Sequence, residues 1–468
     1  MDFHRSFGAH AHFYQPPRED PLSNEIPAEP SASPYHDWNE RIFQTCYLPN
    51  IQIGNFSCIS YNIGPTLARW LRVKHPEAFQ RIVQADRENY EKYGHGNAIA
   101  QPYHHTILPL ATRQEKETEI AWGIVDFVHD FGRKPEGMWL AETAVDTETL
   151  WLLAEQGIKF TILAPWQLKS AEEPPHPAYR ILLPQGREIV AFVYNRELST
   201  RVSFDGSATL NADRFVADFV RKEFSLHPNT EYMLVASDGE LYGHHQEFRE
   251  MFLSQLVNGS LREIGITPQW PAAWLDGHPQ LPVADLHENT SWSCHHGVKR
   301  WQEECACTPG AAWKRPLRDV VTAIAGEVDR ICAQHLEQHG LDLHVLRKDY
   351  IRVCLEEQLF SDWIKKYLRN DLTVREYEKL GKIFRAQEFR LRMFASCAWF
   401  FEDLDRIEPR NCIAYAAYAL WLLEDALGIQ CSQQYHAAFS KVKSAQGGLS
   451  AAMVFDQAIA HYQAGIVN

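Results

Sequence analysis

Residues 233–245 read Met233-Leu234-Val235-Ala236-Ser237-Asp238-Gly239-Glu240-Leu241-Tyr242-Gly243-His244-His245, an apolar strand that delivers acidic groups into a glycine-rich turn. A second stretch, Gly137-Met138-Trp139-Leu140-Ala141-Glu142-Thr143-Ala144-Val145-Asp146, does the same: an apolar strand ends on a carboxylate close to a tryptophan. A buried strand rarely ends in glutamate for packing reasons, because an unpaired carboxylate there is costly. Asp146 differs, since Thr147 and Glu148 follow it as an opening turn, and it reads as a helix cap.

Outward from these two strands, short apolar segments alternate with longer amphipathic ones from residue 6 to about 290, the pattern of βα units around a parallel sheet. Candidate strands are 6–13, 57–61, 137–141, 160–163, 189–194 and 232–237, with helices over 114–131, 147–156 and 211–224. Six strands plus one or two concealed ones predict a barrel, full or incomplete, rather than an open sheet. Residues 15–49 carry seven prolines and little periodicity, which predicts a long functional loop covering one side of the site. From about residue 311 the strand signal stops and amphipathic helices run to the C-terminus, for example 317–335 and 411–427. The expected organisation is a barrel domain over 1–310 and a helical domain over 311–468. A chain of 468 residues accommodates both.

In βα barrels catalytic groups come from the C-terminal ends of strands. Besides the two carboxylate strands, that rule selects Gly8-Ala9-His10-Ala11-His12-Phe13-Tyr14-Gln15-Pro16, where alternation puts His10 and His12 on one face. It also selects the histidine-rich run Gln101-Pro102-Tyr103-His104-His105, which by itself is equally well a plain loop. Two carboxylates on different strands of one barrel suit glycosidic bond cleavage: one protonates the leaving oxygen while the other attacks or activates water. At a separation of about 5 to 5.5 Å Glu142 would attack directly, with retention. Asp238 would then hold the proton, its pKa raised by the neighbouring charge and by partial desolvation.

Composition narrows the alternatives. Sixty acidic against 46 basic residues give a net charge of -14, which disfavours nucleic acid as a partner. The start lacks the apolar stretch of a signal peptide and no run of about 18 apolar residues is present, so a cytoplasmic protein without membrane partners is expected. Ten scattered cysteines fit reduced thiols better than a disulfide framework. Fourteen tryptophans and eighteen tyrosines suit either cores or stacking on sugar rings.

These motifs, in this order, resemble the family 57 glycoside hydrolases. His10-Ala11-His12-Phe13-Tyr14-Gln15-Pro16 is similar to that family's first motif, and the stretch ending His104-His105-Thr106-Ile107-Leu108-Pro109 to its second. Trp139-Leu140-Ala141-Glu142 resembles the third, which holds the nucleophile, and Asp238-Gly239-Glu240-Leu241-Tyr242-Gly243-His244 the fourth, whose Asp is the acid/base. Trp292-Ser293-Cys294-His295-His296-Gly297-Val298-Lys299-Arg300-Trp301 would be the fifth, a substrate-binding segment. The resemblance implies a (β/α)7-type incomplete TIM-like barrel, retention, α-glucan or malto-oligosaccharide substrates and no metal or other cofactor in the chemistry. It embraces α-amylases, 4-α-glucanotransferases and branching enzymes, so hydrolysis and transfer both stay open. It places His10, His12, His105 and Trp139 around the attacked sugar, with Glu240 as a supporting or hydroxyl-binding carboxylate. Gln15, His244 and Trp301 are further candidates for substrate binding, and Trp270, Trp274 and Trp292 for acceptor subsites. The helical remainder is similar to an uncharacterised domain found in one branch of the family.

Two rival readings stand beside this one. His10, His12, Asp238, Glu240 and His244 offer the ligand types of a metal-dependent hydrolase such as a polysaccharide deacetylase or amidohydrolase. A glucan-binding regulatory protein would keep the fold without the chemistry. Separately, Cys294, His295, His296, Cys305 and Cys307 contain the elements of a structural metal site, although their spacing fits no strong zinc pattern and reduced cysteines beside a substrate loop are the preferred reading.

Overall fold

The structure is a computed structural model that describes residues 5–169, 176–368, 370–445, 448 and 450–465. The chain divides into two compact units, one of Met1–Gln15, Pro27–Tyr103 and Phe127–Trp292, the other of Pro16–Ile26, His104–Asp126 and Ser293–Asn468. The expected contiguous cut at residue 310 is therefore replaced by a discontinuous one, with two earlier segments packing in the second unit.

The first unit is built on β1 (Ser6–Phe13), β2 (Ser60–Ile63), β3 (Phe160–Leu163), β4 (Leu168–Lys169), β5 (Ala178–Leu182), β6 (Glu188–Val193), β7 (Tyr232–Asp238), β8 (Thr267–Pro268) and β9 (Asp285–Leu286). β1 lies at the centre of a parallel sheet, with β2 and β7 on either side and β8 pairing its first two residues. Parallel bridges continue from Tyr61 to Ala98, from Ala100 to Met138 and from Gly137 to Phe160, and β3 then pairs with β6. A hydrogen bond of 2.6 Å from the Asn195 N–H to the Leu234 carbonyl returns the sequence of neighbours to β7. Among the described residues this makes a ring of seven parallel positions, the (β/α)7 barrel.

β1 and β3 coincide with their expected bounds, while the second strand lies later than expected, at Ser60–Ile63, because residues 55–57 form a 3-10 turn. The concealed strand is residues 98–100, too short for a periodic signal. Side chains hold it instead: Asp86 accepts from the Ala98 N–H at 2.8 Å, Arg133 donates to the Ala98 carbonyl at 2.8 Å, and Asn97 donates to the Phe56 and Ile59 carbonyls. β5, antiparallel to β6, and the antiparallel pair β4 and β9 are additions to the barrel. The segment 15–49 is not all loop, since helical turns occupy Trp38–Ile42, Phe43–Tyr47 and Leu48–Ile53.

The second unit carries the helices Lys314–Glu337, Val374–Arg392, Ile407–Leu427 and Ala451–Ala464. Thr373 and Glu376 close a capping box on the second of these, and Ile407–Leu427 is apolar around most of its circumference, as a central helix must be. Buried Arg390 pairs with Asp329 at 2.9 Å, so its charge is compensated inside the helical packing. No helix among the described residues is long and apolar enough to cross a membrane.

Candidate active site

The register of the central strands sets the site. Asn62 on β2, His12 on β1 and Asp238 on β7 share one row, with Ser60, His10 and Ala236 in the row two residues earlier. His10 Nδ1 lies 2.9 Å from Ser60 Oγ and its Nε2 3.3 Å from Asn62 Oδ1, while the Asn62 Nδ2 is 3.0 Å from His12 Nδ1. Asn62 Nδ2 also donates to Gln101 Oε1 at 2.8 Å. His10 Nε2 must carry a hydrogen to bond the Asn62 oxygen, whereas His12 Nδ1 faces Asn62 Nδ2 at 3.0 Å and Oδ1 at 3.2 Å and can accept from the one or donate to the other. Burial lowers His10 to about 3 and His12 to about 4, His10 also through His12, in agreement with neutral rings. Both rings stack on Trp139, at 4.9 Å and 5.1 Å between centroids.

Glu142 follows the strand segment that ends at Trp139 and turns sharply out of it. Its φ is 57° and that of Thr143 is 49°, two successive left-handed residues without a glycine. For a β-branched threonine this is an unfavourable conformation that the surroundings must enforce. Gln167 does so: fully buried, it accepts from Thr143 Oγ1 at 2.8 Å and donates from Nε2 to the Thr143 carbonyl at 2.8 Å. On the other side the Trp292 N–H donates to the Glu142 carbonyl at 3.1 Å, and its indole Nε1 donates to Glu142 Oε2 at 3.0 Å. Trp292 in turn meets Trp139 edge-on at 5.0 Å.

Asp238 ends β7 with its side chain exposed to the open mouth of the barrel. No hydrogen-bond donor among the described residues reaches it. Desolvation, then the charges of Glu142 and Glu240, push its carboxyl up to about 8. Gly239, next in sequence, is required for close approach, because a Cβ there would lie 2.3 Å from the Phe13 ring. Glu240 is buried, and burial raises it to about 7 against the opposing Tyr47 hydroxyl and Tyr14 N–H, which donate to its Oε1 at 2.7 and 3.1 Å. Gln15 donates to the Tyr47 hydroxyl at 3.0 Å, which makes it a support for Glu240.

Several expected residues fall elsewhere. Trp270 and Trp274 are buried in the core cluster with Phe192 and Tyr232; Trp274 stacks on Tyr232, the first residue of β7, at the end of the strand opposite Asp238. They fill the bottom of the barrel and are not acceptor subsites. Trp139 has no exposed surface and acts as the platform under the two histidines. His244 is half-buried, 3.1 Å from Thr45 Oγ1, and burial and His245 lower it to about 4. His105 and Trp301 belong to the second unit, where His105 Nδ1 contacts Ser396 Oγ at 2.6 Å and Trp301 is fully buried. Asp146 caps its helix as expected, accepting from the Thr149 N–H at 2.8 Å. Of the residues that the metal-dependent alternative needs, His10 has both ring nitrogens engaged by Ser60 and Asn62, while the bonds at His12, His244 and Glu240 each involve one ring nitrogen or one carboxylate oxygen.

Asn62, Tyr47 and Gln167 join the site beyond the residues expected from the sequence. Ser60 and Asn62, two apart in an apolar strand like His10 and His12, carried a readable signal; Tyr47 and Gln167 carried none.

The described residues thus form a seven-stranded parallel barrel with a carboxylate at the ends of two strands. Comparison with known proteins agrees: the profile of glycosyl hydrolase family 57 matches residues 19–270, and that of a domain of unknown function, DUF3536, matches 310–466. The chain belongs to glycosyl hydrolase family 57. It is 26% identical over 284 residues to alpha-amylase 1 of Dictyoglomus thermophilum, covering 57% of this chain and 39% of that one, so it spans about two fifths of that relative. In fold it is similar to the exo-type maltose-forming amylase of Pyrococcus sp. ST04, with a TM-score of 0.72 at 14% identity, covering 97% of this chain and 88% of that one. The branching enzyme of Pyrococcus horikoshii gives a TM-score of 0.60 at 15% identity, over 97% and 94% of the two chains.

Proposed function

We propose that the chain is a retaining glycoside hydrolase or transglycosylase acting on α-1,4-glucans, with Glu142 as nucleophile and Asp238 as acid/base. The observation that carries this reading is the unequal treatment of two carboxylates at one barrel mouth. Glu142 accepts the Trp292 indole N–H, as a carboxylate anion does, whereas Asp238 has no donor and is favoured in its protonated form. In the first step Glu142 attacks the anomeric carbon, the glycosidic C–O bond breaks, and Asp238 gives its proton to the departing oxygen. Asp238, now a carboxylate, takes a proton from water or a sugar hydroxyl as that oxygen displaces Glu142, which restores both groups and the anomeric configuration. The neutral imidazole of His12, braced by Asn62 and Trp139, supplies a hydrogen-bonding edge for a sugar hydroxyl without adding charge, and His10, held by Ser60 and Asn62, stacks beside it on the same tryptophan. The α-glucan assignment draws on the amylases and the branching enzyme that the chain resembles.

The test is a product analysis of wild type and Glu142→Gln on maltoheptaose and amylose, following chain lengths, branch points and reducing ends. Shorter chains with rising reducing ends identify an amylase; redistributed lengths or new branches at constant reducing ends identify a transferase. Glu142→Gln is expected to lose at least about a thousandfold. Equal activity of variant and wild type would sink the mechanism.

A further inference from the structure

Away from the carboxylates, the segment after Trp292 has little regular structure; 3-10 turn Lys299–Trp301 is its one helical element among the described residues before Lys314. Such a segment has few backbone bonds to hold it, yet four ligand-type side chains converge in it. The Sγ atoms of Cys294, Cys305 and Cys307 and a ring nitrogen of His296 all lie within 4.8 Å of one another. Cys294 and Cys305 are buried, Cys307 is half-buried and His296 is exposed, so the cluster opens to solvent on one side.

We propose that Cys294, His296, Cys305 and Cys307 form a structural zinc site that ties the two turns 294–297 and 305–308 together. Zinc bound at about 2.3 Å to sulfur and 2.0 to 2.1 Å to nitrogen sets tetrahedral edges of roughly 3.8 Å between sulfurs and roughly 3.6 Å between sulfur and nitrogen. The protein shows 3.9 Å between Cys294 and Cys305 Sγ, and 4.0 and 3.5 Å from His296 Nδ1 to the sulfurs of Cys294 and Cys307. A disulfide needs about 2.05 Å and would leave the third thiol without a partner.

The turns add contacts of their own, with Cys305 Sγ 3.6 Å from Thr308 Oγ1. Each turn closes on itself, through the Gly297 N–H to the Cys294 carbonyl at 3.1 Å and the Thr308 N–H to the Cys305 carbonyl at 2.9 Å. Gly297 has a φ of 75°, which a side chain would strain.

Charge gives a second, independent argument. Lys314 is fully buried, and its Nζ donates to the Arg300 carbonyl at 2.9 Å and the Phe400 carbonyl at 3.3 Å, with no carboxylate within ion-pair distance among the described residues. A buried ammonium requires a compensating negative charge. Three thiolates, a neutral imidazole and Zn2+ carry a net charge of minus one, which adds to the Glu402 carboxylate among the charges that act on Lys314. Cys307 and the exposed His296 leave a side through which the metal enters. The spacing of these residues in the sequence fits no strong zinc pattern, and the two turns bring the ligands together without one.

The test is metal analysis of the full chain purified under reducing conditions, followed by replacement of its metal with Co2+. The expected result is about one zinc per chain, lost in both Cys305→Ser and Cys307→Ser and kept in Cys58→Ser, whose thiol lies outside the cluster. The cobalt form of the wild type is expected to show thiolate-to-metal charge transfer and the intense visible bands of tetrahedral coordination, a readout that holds if a variant fails to fold. A reduced wild-type chain that holds no zinc and gives no cobalt–thiolate spectrum overturns the proposal. So does zinc retained by both folded cysteine variants, which would locate the metal elsewhere.

Discussion

Trp292 grips Glu142 twice, through its indole N–H to the carboxylate at 3.0 Å and through its backbone N–H to the Glu142 carbonyl at 3.1 Å, across 150 residues of sequence. Trp292→Phe keeps the backbone bond and the ring but removes the indole donor. A hydrogen bond to a charged group contributes about 1.5 to 3 kcal/mol, so kcat is expected to fall by roughly 10- to 100-fold. Unchanged kcat/KM on maltoheptaose would show that the indole bond does not position the nucleophile.

The pH profile follows from Asp238. Its carboxyl, raised to about 8 by desolvation and then by Glu142 and Glu240, must be protonated to act as acid, so kcat/KM should decline as pH rises through about 8. Glu240→Gln removes one of the charges that raise it while keeping an acceptor for Tyr14 and Tyr47. The alkaline limb should then move to lower pH. A limb that stays in place in the variant would mean that another group governs it.

The same shift has a consequence for stability. Asp238 binds its proton more tightly folded than unfolded, so its contribution is complete below the ordinary value of 3.8 and is lost as pH rises through about 8. Asp238→Asn, which cannot ionise, should therefore gain thermal stability relative to wild type at pH 9 compared with pH 5. Parallel Tm curves for the two proteins over that range would contradict the raised pKa.

The two catalytic candidates were legible because each sits where an apolar run stops on an acid, a pattern that packing alone does not produce. β1 and β3 were equally plain, being apolar runs with polar bounds. Residues 98–100 were not, because their place in the barrel is fixed by the distant side chains Asp86 and Arg133 rather than by local pattern. Trp270 and Trp274 show the limit of composition: an aromatic ring suits a sugar or a core, and which end of the barrel it occupies depends on pairing that no local stretch encodes. The interleaving of the two units was hidden for the same reason, since Pro16–Ile26 and His104–Asp126 carry no mark of the unit they join.

Gln167 offers a test of whether strain at Glu142 is part of the mechanism. Besides its two bonds to Thr143, its Oε1 accepts from the Ala164 N–H at 2.9 Å, so one buried amide ties the left-handed turn to the segment after β3. Gln167→Met keeps the volume but leaves these buried groups without partners, at a cost of about 1 to 3 kcal/mol for each one left unsatisfied. Lower Tm is therefore expected whatever the role of the turn. The informative quantity is kcat: if Gln167 holds Thr143 and Glu142 in their left-handed conformation, kcat should fall about 10-fold or more with little change in KM, because sugar contacts are intact while the nucleophile is misaimed. Loss of stability with wild-type kcat would reduce Gln167 to a packing residue.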